Sequence, residues 1–251
     1  MAASTLERPI AARPSTWFVW AGMTAFGVFL LGILGAVVVD SFGRQWFDTW
    51  LPEGLTTERY TEAWDRFALG EVVGVTVGVA ALVVVISVAV GVPAAYVLAR
   101  RDFPGKRAIM LLFLLPVLMP PITYGIPLAT VMYSFGLGRT LTAVVLVNLV
   151  PSVPFVILTM TPFIEQINPA IESAARMCGA RTRQVFTRIL APLLVPGILA
   201  AAILVLVRTV GLFELTFLVS GPGSDTLVVA IYRGMTSAAV ARRDSSSRPC
   251  R

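Results

Sequence analysis

The sequence predicts an all-α, polytopic membrane protein, in which a bundle of helices crosses a lipid bilayer. Its 251 residues are 57% hydrophobic and 14% charged, whereas soluble domains contain about 25% charged residues. A helix needs about 20 apolar residues to cross the hydrocarbon core. Five predicted spans reach that length: residues 17–39, 72–98, 108–133, 141–164 and 193–219. The first is longer than the apolar core of a signal peptide, about 7 to 15 residues, so we expect it to remain as an anchor.

The distribution of charge predicts which segments face the cytoplasm. Basic side chains concentrate in the tail 1–16, in the loop 99–107 and in the loop 165–192, which we name the basic loop. Segment 40–71 instead carries seven acidic and three basic side chains. Because Lys and Arg accumulate on the cytoplasmic side, we expect the three basic segments inside and segment 40–71 outside. Five alternating spans satisfy this arrangement, with the N-terminus in the cytoplasm.

Prolines interrupt the predicted spans, most densely the third, with Pro116, Pro120, Pro121 and Pro127. Each lacks a backbone donor and kinks a helix. A bilayer tolerates this where neighbouring helices or a water-filled cavity satisfy the freed carbonyls. We therefore expect a broken helix in the third span. Bent helices of this kind either line a pathway or are ordinary packing kinks.

The last segment, residues 220–251, is predicted to lie outside the membrane on the extracytoplasmic side. Its apolar part, residues 226–240, is too short and too interrupted for a span. Five spans leave the basic ending ARRDSSSRPCR outside, against the positive-inside rule. We expect that a sixth helix is missing from the chain, through truncation or a shifted reading frame.

The basic loop contains the signals for two short helices. Asn168 is a favourable N-cap, and Pro169 suits the first helical position. Gly179 suits the left-handed residue that ends a helix. We expect Thr182 to cap the second helix and Pro192 to begin the fifth span. Three functions fit this element: a DNA-binding helix-turn-helix, a positively charged topology anchor, or a docking site for a protein. Spans adjoin it with almost no linker, so a duplex could hardly approach, and no nucleic-acid partner is predicted.

The basic loop also resembles the loop signature of ABC importer permeases, the binding-protein-dependent transport system inner-membrane component family. That signature is E-A-A, three residues, G, nine residues and I-x-L-P. The matching positions here are Ser173, Ala174, Ala175, Gly179, Ile189, Leu190, Ala191 and Pro192. Ser173 stands where the family has Glu, with Glu172 one position earlier, and Ala191 stands where it has Leu. Neighbouring helical residues point about 100° apart, so Glu172 is not expected to replace the missing carboxylate.

The resemblance, which extends from about residue 72 to 232, implies the type I ABC importer permease fold in a bacterial plasma (inner) membrane. It implies that the basic loop forms a coupling helix that docks into separate ABC ATPase subunits. It also implies a second permease subunit, of the same or a different chain, and an extracytoplasmic substrate-binding protein. The residues assigned to ATPase coupling are Glu172, Ser173, Ala174, Ala175, Gly179, Ala180, Ile189 and Pro192.

The chain itself is not expected to be an enzyme or to hold a cofactor. It contains no G-x-x-x-x-G-K-[ST] motif, the loop whose backbone amides cradle nucleotide phosphates. ATP hydrolysis is therefore expected on a partner chain. Besides these proteins, the expected partner is membrane lipid.

Two side chains within the spans are predicted to belong to the substrate pathway. Glu214 carries a charge inside a span, which costs several kcal/mol unless it faces a cavity or a partner. Asn148 can hydrogen-bond either a substrate or a neighbouring helix. The stretch FELTFLVSGPGSDTLVVAIY is similar to the branch of the family that imports polyamines, ferric iron and related solutes. The acidic outer segment and Glu214 favour spermidine or putrescine, with ferric iron or another small solute as the alternative.

Two other classes of membrane protein require residues of a different kind. A secondary transporter driven by an ion gradient calls for paired intramembrane ionisable groups and internal repeats. A membrane enzyme calls for convergent titratable groups. The chain has no histidine, and Glu214 is its only deeply placed acid, so the sequence favours neither class.

Overall fold

The computed structural model describes residues 14–43, 54, 56–66 and 68–246. The helices are α1 (Pro14–Phe42), α2 (Glu58–Arg66), α3 (Leu69–Arg100), α4 (Lys106–Leu118), α5 (Pro121–Ser134), α6 (Leu141–Glu165), α7 (Pro169–Met177), α8 (Thr182–Gln184), α9 (Ala191–Gly211), α10 (Glu214–Val219) and α11 (Leu227–Ser246). A π-helical segment, Val185–Leu190, lies between α8 and α9. The all-α fold class is therefore confirmed for the described residues.

Four helices in the described part of the chain are long and apolar enough to cross a membrane. They are Thr16–Phe42, Leu69–Arg100, Leu141–Glu165 and Thr182–Gly211. The pair Lys106–Leu118 and Pro121–Ser134 makes a fifth if it counts as one span. These helices fall on the five predicted spans. Although α11 has 20 residues, it is not among them, because arginines interrupt its apolar sequence.

The chain divides into two compact units, Met1–Ala63 and Trp64–Arg251. In the first unit, the end of α1 contacts the first residues of α2. The Thr56 amide donates to the Phe42 carbonyl at 2.9 Å. The centroids of the Phe42 and Tyr60 rings lie 5.4 Å apart. Ser41 and the Tyr60 hydroxyl are also hydrogen-bonded. Residues 44–53 and 55 of the predicted segment 40–71, between these helices, lie outside the described residues.

The second unit is built around α3 and α6, which run in the same direction. At their C-terminal ends, Arg100 Nη2 donates to the Ile167 carbonyl at 2.7 Å. At their N-terminal ends, both helices meet residues 219–227, through Thr76 of α3 and Arg139 beside α6. The connecting helices α4 and α5 therefore join opposite ends of the bundle. The pair therefore crosses the second unit once.

The predicted break in the third span is present between α4 and α5. Their axes meet at 97°. Met119 has an extended backbone with ψ 142°, and α5 begins at Pro121. Because Pro120 and Pro121 have no backbone N–H, a continuous helix would lack two consecutive hydrogen bonds here.

The fifth span is not the single helix that we expected over residues 193–219. Helix α9 ends at Gly211, Leu212 is extended with ψ 102°, and the short helix α10 follows. Leu215 of α10 packs on Gly125 of α5, where an added Cβ would lie only 2.8 Å from Leu215 Cδ2. Close packing of α10 on α5 thus accompanies the break, and Gly211 ends a helix at little cost.

The core of the second unit lies between α3, α6 and α9. Small and branched side chains dominate it, because close helix approach in a membrane favours small residues and good packing. Its completely buried members include Val83, Ala95, Val144, Val156, Met160 and Ala201. This packed centre holds the ends of α3 and α6 in place, and the basic loop is attached to those ends.

Candidate functional site

The first half of the basic loop is a capped helix. The Asn168 side chain accepts a hydrogen bond from the Ala170 amide at 2.9 Å, and Pro169 is the first residue of α7. At the other end, Gly179 has φ +84°. Its amide donates to the Arg176 carbonyl at 2.9 Å. This is the glycine-terminated helix end that satisfies the last carbonyls, so the sequence prediction for Asn168, Pro169 and Gly179 is confirmed.

The second half differs from the prediction. Arg181, and not Thr182, is the N-cap of α8, and its amide donates to Gln184 Oε1 at 2.8 Å. The helix then continues through the π-helical segment, where the Ala191 amide donates to the Phe186 carbonyl. Pro192 therefore does not open a new helix. Since Pro192 has no donor, the wider hydrogen-bond spacing accommodates it within one continuous helix, Thr182–Gly211.

Glu172 faces the helix bundle. It is 6% exposed and accepts hydrogen bonds from Tyr96 Oη and Arg100 Nε, each at 2.7 Å. Arg176 Nη2 lies 3.9 Å from its other side, on the same helix. The carboxylate that we assigned to the basic loop is thus bound to α3 and not displayed on the outer surface of α7.

Four of the other predicted coupling residues lie on the accessible side of the loop. Ser173, Ala174, Gly179 and Pro192 are exposed, and Ala175, Ala180 and Ile189 are half-buried. Ser173 also borders a polar cavity of about 280 Å³. Three arginines and one glutamate line this cavity, so its charge is positive: Arg100, Arg101, Arg176 and Glu172.

Sequence reasoning missed an apolar stripe on the outer surface of α7. Met177 is 83% exposed and Ile171 43% exposed. With Ala174 they recur every three residues, a spacing that places them on one side of a helix. We name Ile171, Ala174 and Met177 the docking face. The spacing was readable in the sequence, but the charged residues Glu172 and Arg176 between them obscured it.

Asn148 joins α6 to α10. It is 1% exposed, and its Nδ2 donates to the Val144 carbonyl at 2.8 Å and to Thr216 Oγ1 at 3.2 Å. Its Oδ1 is buried and finds no hydrogen-bond partner among the described residues. Asn148 therefore links two helices and keeps one acceptor free.

Glu214 lies at the break in the fifth span, as the first residue of α10, and is half-buried. Arg208 lies near the end of α9, with its Cζ 5.6 Å from the centroid of the Phe155 ring on α6. A cation over an aromatic face is stabilised by the ring quadrupole. No group of three or more His, Cys, Asp or Glu in the described residues is arranged to hold a metal ion.

The chain is similar to known membrane transport proteins. Residues 89–241, more than half of the chain, match the family model described as binding-protein-dependent transport system inner membrane component. A trehalose transport system permease protein of Mycobacterium tuberculosis is 36% identical over 132 residues, 53% of this chain and 48% of that protein. The chain thus spans about half the length of that relative.

Two further matches cover more of the chain. A probable molybdenum ABC transporter permease protein of Haloferax volcanii is 31% identical over 211 residues, 80% of this chain and 74% of that protein. Among solved structures, a bacterial ABC transporter involved in the import of the acidic polysaccharide alginate matches with a TM-score of 0.69 and 21% identity. That match covers 90% of this chain and 82% of the other. It shows the same fold.

Proposed function

Because the chain belongs to the family of binding-protein-dependent transport system inner membrane components, we propose that it is the permease subunit of an ATP-driven ABC importer. The observation that carries the proposal is the capped helix α7 with its left-handed Gly179, set between the spans α6 and α9. Such a rigid element can transmit force from a partner to the spans.

The partner that docks on α7 is an ABC ATPase subunit. The docking face offers exposed apolar side chains on a short helix, and Met177 is the most exposed of them. Methionine adapts its flexible side chain to the shape of a partner cleft. The chain has no phosphate-binding motif of its own, so ATP binding and hydrolysis belong to that partner.

Two further partners complete the transporter. A second permease subunit or lipid covers the side of α9 that faces away from the core. Leu199, Ile203 and Val207 are exposed on that side. An extracytoplasmic binding protein delivers the solute, a role that is supported by the description of the family as binding-protein-dependent. By the charge distribution, the basic loop faces the cytoplasm, and the N-terminus lies on the same side.

The substrate pathway follows the break between α9 and α10. Non-helical backbone at membrane depth is tolerated where it is buried in protein or lines a cavity. Glu214 lies at this break, and the free Oδ1 of Asn148 offers an acceptor near it on α6. These two residues remain our proposal for contacts with the solute.

The charged residues of this chain and the names of its relatives favour different substrates. The acidic segment 40–71 and Glu214 favour a cation such as spermidine or putrescine. The relatives are named for trehalose and molybdenum. Uptake of labelled spermidine, trehalose and molybdate by cells carrying the complete transporter separates these substrates. Uptake of labelled spermidine that only excess unlabelled spermidine inhibits supports a polyamine as the substrate. Uptake of trehalose or molybdate without uptake of spermidine excludes a polyamine.

The function is tested by co-purification with an ABC ATPase subunit from the same organism. The native chain is expected to bind it, and Gly179→Pro to lose it, because proline cannot adopt φ +84° and removes the Gly179 N–H. Gly211→Ala is the matched control, since nothing lies within 4 Å of an added Cβ there. Equal binding by native and Gly179→Pro chains would contradict docking through this loop.

A further inference from the structure

We propose that Arg100 and Tyr96 are positioning residues that fasten α7 to the C-terminal end of α3 through Glu172, so that the two helices move together during transport. This inference rests on the proposed function, in which α7 receives force from an ATPase. The chain itself connects α7 only to α6 and α8. The contact with Glu172 adds α3 as a third attachment.

The contact is made of three short hydrogen bonds. Glu172 accepts from Arg100 Nε and from the Tyr96 hydroxyl, each at 2.7 Å. Arg100 Nη2 donates to the Ile167 carbonyl, also at 2.7 Å. The Arg100 and Glu172 side chains are 12% and 7% exposed. Buried charge-assisted hydrogen bonds are shorter and stronger than neutral ones, so this joint is rigid.

The geometry of Arg100 fixes both the place and the direction of α7. One nitrogen binds Ile167, in the chain that enters α7, and another binds Glu172, within its first turn. A planar guanidinium holds its donors in a fixed arrangement, whereas a lysine ammonium does not. The two points therefore cannot rotate independently about α3.

Helix α3 is suited to pass motion to the opposite end of the bundle. Its 32 residues extend about 48 Å at 1.5 Å per residue. Near its N-terminal end, Thr76 Oγ1 accepts from the Leu227 amide at 2.9 Å, at the start of α11. Through α3, a displacement of α7 is transmitted to the start of α11, which follows the substrate pathway in the chain.

A role in stability alone would not require charges here. Replacing a buried ion pair by apolar residues of similar volume is often neutral or stabilising. The ion pair instead specifies one geometry, with its partners 72 residues apart in the chain. In the described part of the chain, one other cation forms an ion pair with Glu172: Arg176, whose Nη2 is 3.9 Å from Glu172 Oε2 and whose side chain is half-exposed.

The experiment measures the distance between α3 and α7 by electron paramagnetic resonance. Spin labels are placed at Val97→Cys and Ala170→Cys, both exposed, with Cys178 and Cys250 changed to Ser. The labelled chain is reconstituted with its ATPase and compared without nucleotide and after trapping with ATP and vanadate. We expect the same narrow distance distribution in both states, with peaks that agree within about 2 Å, since helices that move together keep their separation.

Glu172→Gln is expected to at least double the width of that distribution, and Tyr96→Phe to widen it less. Glu165→Gln is the matched control, because Glu165 is an exposed acid at the end of α6, and it should leave the width unchanged. Tyr96→Phe removes one hydroxyl and keeps the ion pair, so it serves if Glu172→Gln fails to fold.

Three results overturn the proposal. A shift of the native distance on trapping would show that α7 moves relative to α3. An unchanged width in both Glu172→Gln and Tyr96→Phe would show that the contact does not position α7. Widening by Glu165→Gln to the same extent would show a general charge effect. Failure of the native chain to bind the ATPase contradicts the proposed function instead, and the widths measured on the permease alone still test the joint.

Discussion

Gly91 of α3 lies so close to Val156 of α6 that a Cβ added to Gly91 would be 2.7 Å from Val156 Cγ1. The two central helices therefore approach each other at a position where only glycine fits. Small residues permit this approach between membrane helices, where van der Waals packing drives association.

Gly91→Ala is expected to destabilise the protein by about 1–3 kcal/mol, the usual cost of overpacking a core. Thermal unfolding in detergent measures the change. Gly78→Ala on the same helix is the matched control, because nothing lies within 4 Å of an added Cβ there. The double change Gly91→Ala with Val156→Ala should recover part of the loss. Equal effects of Gly91→Ala and Gly78→Ala would contradict the close contact.

Breaking the ion pair of Glu172 is expected to be costly. Glu172→Gln leaves the Arg100 charge, 12% exposed, without its counter-ion. Loss of one partner of a buried pair costs about 3–5 kcal/mol, whereas an apolar pair restores most of that stability. Unfolding in detergent should therefore show a large loss for Glu172→Gln and a smaller one for Arg100→Met with Glu172→Met. If Glu172→Gln alone left the midpoint of unfolding unchanged, this result would contradict the buried contact.

The bond between Asn148 and Thr216 is expected to contribute a modest amount to stability. Hydrogen bonds between membrane helices average about 0.6 kcal/mol and reach about 1.7. Asn148→Ala and Thr216→Val, alone and combined, form a double-mutant cycle that gives the coupling free energy. If Asn148 also contacts the solute, uptake falls more in Asn148→Ala than in Thr216→Val. Equal uptake by both variants would argue for a purely structural Asn148.

Met177→Glu is expected to weaken ATPase binding at least tenfold, about 1.4 kcal/mol, because it places a charge where an apolar side chain enters the partner. Met235→Glu is the control, since Met235 is 68% exposed on α11 and far from the basic loop in sequence. Titration of the purified ATPase against the permease in detergent measures both affinities. Unchanged affinity in Met177→Glu would exclude Met177 from the interface.

The orientation of the bundle can be read from thiol labelling. Cys178 is exposed at the end of α7, and Cys250 is changed to Ser for the assay. A membrane-impermeant maleimide should modify Cys178 in inside-out vesicles and not in right-side-out vesicles. Phe135→Cys, exposed between α5 and α6 in a Cys178→Ser chain, should show the reverse. Labelling of both from one side would contradict five alternating crossings.

Local signals made much of the fold predictable. Apolar length located the helices, and capping chemistry located α7, because Asn168 and Gly179 act on their immediate neighbours. The break after Gly211 was not predictable in this way, since no proline marks it. It accompanies the packing of Leu215 on Gly125, about ninety residues away in the chain.

The direction of Glu172 also depended on tertiary structure. Helical periodicity indicates that Glu172 and Ser173 point about 100° apart, but it does not indicate which of them faces the bundle. The partner that decides this, Arg100, lies on another helix, 72 residues earlier.

The bend between α4 and α5 has a consequence for how the protein is made. These helices have 13 and 14 residues, about 20 Å each, whereas the hydrocarbon core is about 30 Å thick. Each helix is therefore too short to cross the hydrocarbon core by itself. The non-helical backbone at the bend must also be covered by protein before the pair can move from the translocon into lipid. Leu215 of α10 lies on Gly125 of α5 and is synthesised some ninety residues later. We therefore expect membrane integration of this bent pair to be completed only after translation has passed α10.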